Sequence, residues 1–173
     1  MKNFNIGTRI GYLAVGIAVF VISYSIGAMS VTLTDDEAST IIKEFTESVQ
    51  GIQGEGIFSN NAVIGLGMFI PAVGAGIGIY SAYSTGIIFN AFAHMNPDIA
   101  SMSPLSVFAT PFGILELFAY GLGISRSGIL VKDLIRKRPW KEYIIMTLIE
   151  IAIAVIALVI GAYVESGALG TQS

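Results

Sequence analysis

"SPLSVFATPFGILELFAYGLGIS", residues 103–125, is apolar enough to lie inside a bilayer, yet it carries the carboxylate of Glu116 near its middle. A charge at that depth is costly on any scale, so an intramembrane acid marks a functional site by default. What this stretch is, and what Glu116 faces, decide how the rest of the chain is read.

Composition supports the membrane setting. Of the 173 residues, 54% are hydrophobic and only 12% are charged, which leaves too little polar surface to keep a soluble domain of this length dispersed. The chain reads as an integral membrane protein. The net charge of −3 says little about partners because the charges are segregated along the sequence. With no cysteine, disulfides and thiolate metal sites are excluded.

Working outward, the chain divides into apolar runs and charged connectors. Residues 10–33 carry no charge over about 24 residues, enough for a helix across the roughly 30 Å hydrocarbon layer. The run is too long for an ordinary signal peptide, so it reads as a retained first span. Residues 34–50 form an acidic amphipathic helix outside the cytoplasm. Thr34 and Glu37 have capping-box spacing, and Ala38, Ile42, Phe45 and Val49 make one apolar stripe. The Gly-rich "GIQGEG" that follows is a flexible joint.

From Gly56 to Pro97 there is no Asp, Glu, Lys or Arg. One straight helix of that length would reach about 60 Å, twice the bilayer core, so the chain must turn. Pro71 and the glycines after it are the break. This predicts a short re-entrant or half-helix over 57–70 and a span over 72–93. On the latter, Gly74, Gly78, Ala82 and Gly86 recur every fourth residue, a small-residue stripe of the kind that lets membrane helices approach closely. A further span is predicted over 105–125, a basic cytoplasmic loop over 126–141, and a last span over 143–164 with Glu150 inside it. Lys2 and Arg9 before the first span, together with the basic loop, place the amino terminus in the cytoplasm and the carboxyl terminus outside. The expectation is an all-α, polytopic helix bundle, one membrane domain with about five membrane segments, the alternative being four if Pro71 only kinks one long helix.

"SNNAVIGLGMFIPAVGAGIGIYSAYSTGIIFNAF" and "TPFGILELFAYGLGISRSGILV" together resemble the stage II sporulation protein M family of polytopic membrane proteins, over about two-thirds of the chain. The marks are an Asn opening the Gly-rich segment (Asn60 or Asn61), Asn90 after it, and a P-H-G-x-x-E-like signature that here runs from Pro111 to Glu116. Phe112 replaces the signature His, and Ala91 follows Asn90 in place of Gly. The resemblance implies several membrane helices and membership in a membrane complex, as a scaffold or subunit.

The polar residues within the apolar runs are Asn61, Asn90, His94, Glu116 and Glu150, which form a candidate intramembrane cluster. Glu116 has three readings: a structural hydrogen-bonded acid, the lining of an ion or proton path, or a catalytic acid or metal ligand with His94. Glu150 either faces Glu116 as an acid pair or lies on another face. His94 is the only histidine, so a zinc site would need Asp98, Glu116 and Glu150 to converge on it, a poor donor set for zinc. A serine nucleophile such as Ser101 or Ser103 would need the same His as base, and no nucleophile elbow is present. No catalytic residue, metal or cofactor is therefore assigned, and an enzyme ranks behind two other classes. The first is a scaffold or complex subunit that associates with other membrane proteins or with itself. The second is a small transporter or channel-like subunit using Glu116. Arg136, Lys137 and Arg138 anchor the topology and suit lipid headgroups. They lack any element that could read nucleic acid.

Overall fold

The computed structural model describes residues 6–49 and 54–170. Lys2, residue 50 at the end of the expected acidic helix, and residues 51–53 at the start of the expected flexible joint lie outside them. The described residues contain no strand. They form α1 (Ile6–Ser30), α2 (Asp35–Val49), α3 (Gly54–Gly67), α4 (Val73–Met95), the single turn α5 (Pro97–Ala100), a 3-10 turn (Pro104–Ala109), α6 (Pro111–Ile135) and α7 (Trp140–Gly170).

Three helices are long and apolar enough to cross a membrane: Ile6–Ser30, Pro111–Ile135 and Tyr143–Gly167. α4 has the length, but Tyr80, Ser81, Tyr83, Ser84, Thr85 and Asn90 dilute its apolar character, and α3 has only 14 residues.

α6 is the central helix. Ala119 to Ser127 are buried without a break, so over that stretch it is surrounded on all sides. α1 runs antiparallel to it: Gly16 packs on Gly121 and Ser125, Phe20 stacks on Tyr120 at 5.2 Å, and the Tyr24 ring meets Phe108 edge-on at 4.8 Å. The Tyr24 hydroxyl donates to the Pro104 carbonyl at 3.1 Å. α7 is also antiparallel to α6, with Glu150 beside Arg126 and Gly161 beside Leu115 and Phe112. The amino-terminal end of α1 and the α6–α7 turn therefore share one end of the bundle. α2 and the start of α6 share the other.

α3 and α4 form an antiparallel hairpin whose turn comes at Pro71, as expected. Gly74 N–H donates to the Ile70 carbonyl at 2.8 Å, Ala72 takes φ 65°, and the Ser127 hydroxyl of α6 holds the turn through the same carbonyl at 2.8 Å. Gly74 lies against the Met68 carbonyl, with no room for a Cβ.

Several element boundaries differ from those expected. The segment expected over 105–125 begins instead at Pro111, because the Thr110 side chain caps Gly113 N–H at 3.0 Å and Pro111 occupies the first turn. It then runs ten residues past Ser125, since nothing before Pro139 breaks a helix. The basic loop expected over 126–141 shrinks to residues 136–139, and Arg126, Lys132 and Asp133 become helical. The first span, expected over 10–33, is α1, because the Thr34 cap opens a new helix. Thr34 N–H donates to Glu37 at 2.8 Å and Glu37 N–H returns to Thr34 Oγ1 at 3.3 Å.

The acidic helix α2 lies along the later half of α4. Its apolar stripe supplies the contact: Ala38 is wholly buried, and Phe45 meets Phe92 edge-on at 5.9 Å.

A candidate functional site: the buried arginine–glutamate–arginine triad

Arg126 is the sixteenth of the 25 residues of α6, about 4.5 Å past the helix midpoint at 1.5 Å per residue. It is 96% buried, since only 4% of its surface is exposed. Its Nε donates to Glu150 Oε2 at 2.7 Å, and its Nη2 pairs with Glu150 Oε1. Arg9 grips the same carboxylate from α1: Nε to Oε1 at 2.6 Å and Nη2 to Oε2 at 2.7 Å. Its remaining Nη1 donates to Ser125 Oγ at 2.9 Å. One carboxylate is thus held by two bidentate guanidinium groups, each from a different helix.

The direction of Arg9 is informative. Gly16 already packs on Gly121 and Ser125, so Arg9, seven residues or about 10 Å nearer the helix end, must bend inward to reach Ser125. Long cationic side chains near a helix end ordinarily reach outward to water. Here the pull of Glu150 reverses that preference. Ser125 supports the arrangement by donating its own proton to Gly121 O at 2.6 Å while accepting from Arg9. The triad ties together α1, α6 and α7, the three helices able to span a membrane.

Chemically, Glu150 has no lone pair to spare for abstracting a proton or binding a cation. The arrangement can hold three helices in register, and it carries a formal charge of one positive unit into apolar surroundings.

Glu116 lies elsewhere. It accepts from Asn61 Nδ2 at 2.6 Å, linking α6 to α3, and its Cγ faces Gly161 of α7. The possible acid pair with Glu150 does not form, because the two residues sit toward opposite ends of the bundle. Asn90 donates to the Val31 carbonyl at 2.6 Å, securing the chain as it leaves α1. His94 Nε2 lies 2.8 Å from Asp35 Oδ1, joining α4 to the start of α2. Of the five residues expected as one polar cluster, only Asn61 and Glu116 meet; the other three serve three separate contacts.

Gly74, Gly78, Ala82 and Gly86 are all buried, but the stripe serves the interior of this chain. Gly86 lies on the backbone of Tyr24 and Ala28 in α1, and Gly78 on the side chain of Ile124 in α6. Arg136, Lys137 and Arg138 are exposed at the α6–α7 turn, where Arg138 folds back to Asp133 at 3.4 Å.

Arg9 and Arg126 are the residues that sequence reasoning misplaced, as a flanking charge and as the first residue of a loop. A signal was present: an ionised acid inside a span demands a cation, and Arg126 continues a helix that nothing interrupts. Among the described residues, no group of three His, Cys, Asp or Glu side chains is placed to hold a metal ion. No buried side-chain nitrogen or oxygen among them lacks a hydrogen-bond partner. No protein-family model, curated protein or solved structure matches the chain.

Proposed function

We propose that the chain is an integral membrane scaffold or subunit of a membrane protein complex, the role implied by its resemblance to the stage II sporulation protein M family. The observation that carries this reading is the triad: the most deeply placed charges are spent on each other and lock three helices into one unit. A fixed platform needs such a lock, whereas a site that binds and releases ions needs ligands to spare. In this reading the α3–α4 hairpin joins α1, α6 and α7 as two further membrane segments, five in all. The end bearing Arg9 and residues 136–138 is cytoplasmic by the excess of positive charge there. With the α4 stripe consumed inside the chain, the surface offered to another membrane protein, or to a second copy, is one of the outer faces.

A second reading, a small transporter or channel-like subunit, draws on Glu116. This acid is only partly buried, is held by a single described side chain, and faces a glycine of α7. Broken, Gly- and Pro-interrupted segments such as α3 and its turn are one pointer to binding sites in transporters.

The test is gentle extraction from native membranes at endogenous level, with native mass determination. A stoichiometric partner or a defined homo-oligomer is the expected result. A lone monomer would overturn the scaffold role, and ion flux in liposomes that Glu116→Gln abolishes would establish the alternative.

A further inference from the structure

Charge is divided sharply between the two ends of this molecule. Around the triad and the α6–α7 turn lie Arg9, Arg126, Lys132, Arg136, Lys137, Arg138 and Lys141, against Asp133, Glu142 and Glu150. All the other acids fall in α2, α3, α5, the first half of α6 and the last turns of α7, with Lys43 the one basic residue among them.

The structure sorts these cations by whether they are already engaged. Arg9 and Arg126 hold Glu150, Lys132 donates to the Tyr12 hydroxyl at 2.8 Å, and Arg138 turns back to Asp133. Arg136, Lys137 and Lys141 are exposed at the tip, and no carboxylate lies within ion-pairing distance of them among the described residues. Lys137 is held in a left-handed conformation, φ 51°, which ends α6 and fixes the turn.

Exposed apolar side chains neighbour these cations along the chain. Leu134 is 52% exposed, Ile135 75% and Trp140 60%, and Lys141 Nζ lies 5.8 Å from the Trp140 ring. The tip therefore combines exposed positive charge, unpaired among the described residues, with apolar and aromatic groups, the pairing that the boundary between headgroups and acyl chains stabilises. Beneath it, the triad adds one uncompensated positive charge about 15 Å down α6, in surroundings that screen it poorly.

We propose that the α6–α7 turn is a binding site for anionic phospholipid, in which Arg136, Lys137 and Lys141 contact headgroup phosphates while Ile135 and Trp140 enter the acyl boundary. The inference rests on the reading that α1, α6 and α7 lie in a bilayer, and it adds a partner which that reading does not require. A topological anchor needs only positive charge on one side. A lipid site discriminates between anionic and zwitterionic headgroups.

Trp140 is the only tryptophan, so the site carries its own reporter. The full chain is reconstituted in phosphatidylcholine bilayers containing either brominated phosphatidylglycerol or brominated phosphatidylcholine, and quenching of Trp140 is compared at equal mole fraction. The expected result is a preference for the anionic lipid of roughly fivefold or more, the scale set by one or more basic residues at a charged surface. It should shrink as salt is raised and approach unity in the Arg136→Gln/Lys137→Gln/Lys141→Gln variant. These three side chains are exposed, so their replacement removes no buried contact, and the salt series in the unmodified protein tests the idea without any variant.

Equal quenching by the two lipids would overturn the site while leaving the bilayer placement intact. No quenching by either would place the tip outside the bilayer and overturn both. Inorganic phosphate replacing chloride at matched ionic strength should leave the preference unchanged. If it abolishes the preference, the assignment to lipid fails.

Discussion

Glu150→Gln is the perturbation that the triad singles out. The substitution keeps the shape of the side chain and removes its charge. Two guanidinium groups, with side chains 11% and 5% exposed, then face each other with no anion between them. Removing one partner of a buried ion pair costs roughly 3–5 kcal/mol, because the remaining charge is left uncompensated. Two cations lose their partner here, so the upper part of that range is expected, out of a total stability of about 5–15 kcal/mol for a typical domain.

Arg9→Gln should behave differently. It leaves a neutral Arg126–Glu150 pair with its own two contacts, and it removes the excess positive charge. The expected loss is about 1–2 kcal/mol, the scale of a hydrogen bond to a charged group. Replacing all three by apolar residues, Arg9→Met/Glu150→Leu/Arg126→Met, should be nearly neutral or stabilising, because it removes the desolvation cost along with the attraction. Equilibrium unfolding in mixed micelles, followed by circular dichroism at several denaturant fractions, gives the three values. The ordering is the decisive result. If Glu150→Gln is no more harmful than Arg9→Gln, the carboxylate is not the hub of the triad and the electrostatic account fails.

Three further outcomes follow from the packing. Gly27→Leu and Gly86→Leu, whose Cβ positions collide with backbone atoms across the α1–α4 contact, should each cost at least about 3 kcal/mol in thermal unfolding, the upper end for overpacking. Gly76→Leu, with open space around it, should be tolerated. Phe45→Ala should remove the edge-on contact with Phe92, worth about 0.5–1.5 kcal/mol beyond its buried area, and hydrogen exchange should quicken in α2 while α6 and α7 stay protected. The backbone N–H and hydroxyl of Thr34 hold the Glu37 carboxyl below its ordinary pKa. A depressed carboxylate contributes stability above its ordinary pKa and loses it as pH falls through the lower folded value. Amide protection factors at the start of α2, taken relative to the intrinsic exchange rate at each pH, should therefore fall on acidification, and Glu37→Gln should reduce that pH dependence.

The runs long and apolar enough to cross a membrane, the helical content, the Thr34–Glu37 cap and the turn at Pro71 were all legible in the sequence, because each is set by composition or by residues within a few positions of one another. Apolar runs need no partner to declare themselves, a capping box closes over four residues, and a proline restricts its own backbone. The Gly74–Gly86 stripe was legible as a close-packing face, but its counterpart was not. A period of four marks which side of a helix is small, whereas only the fold shows that α1 and α6 of the same chain fill it.

The triad depended on tertiary structure for two reasons. Arg9 and Arg126 both stand beside apolar runs, where positive charge ordinarily meets headgroups, so local sequence assigns them outward. Their partner is 141 residues from one and 24 from the other. Reaching it requires α6 to continue past Ser125 and Arg9 to turn inward, and both are decided by the low dielectric between packed helices, where an unpaired carboxylate is costlier than drawing two arginines to it.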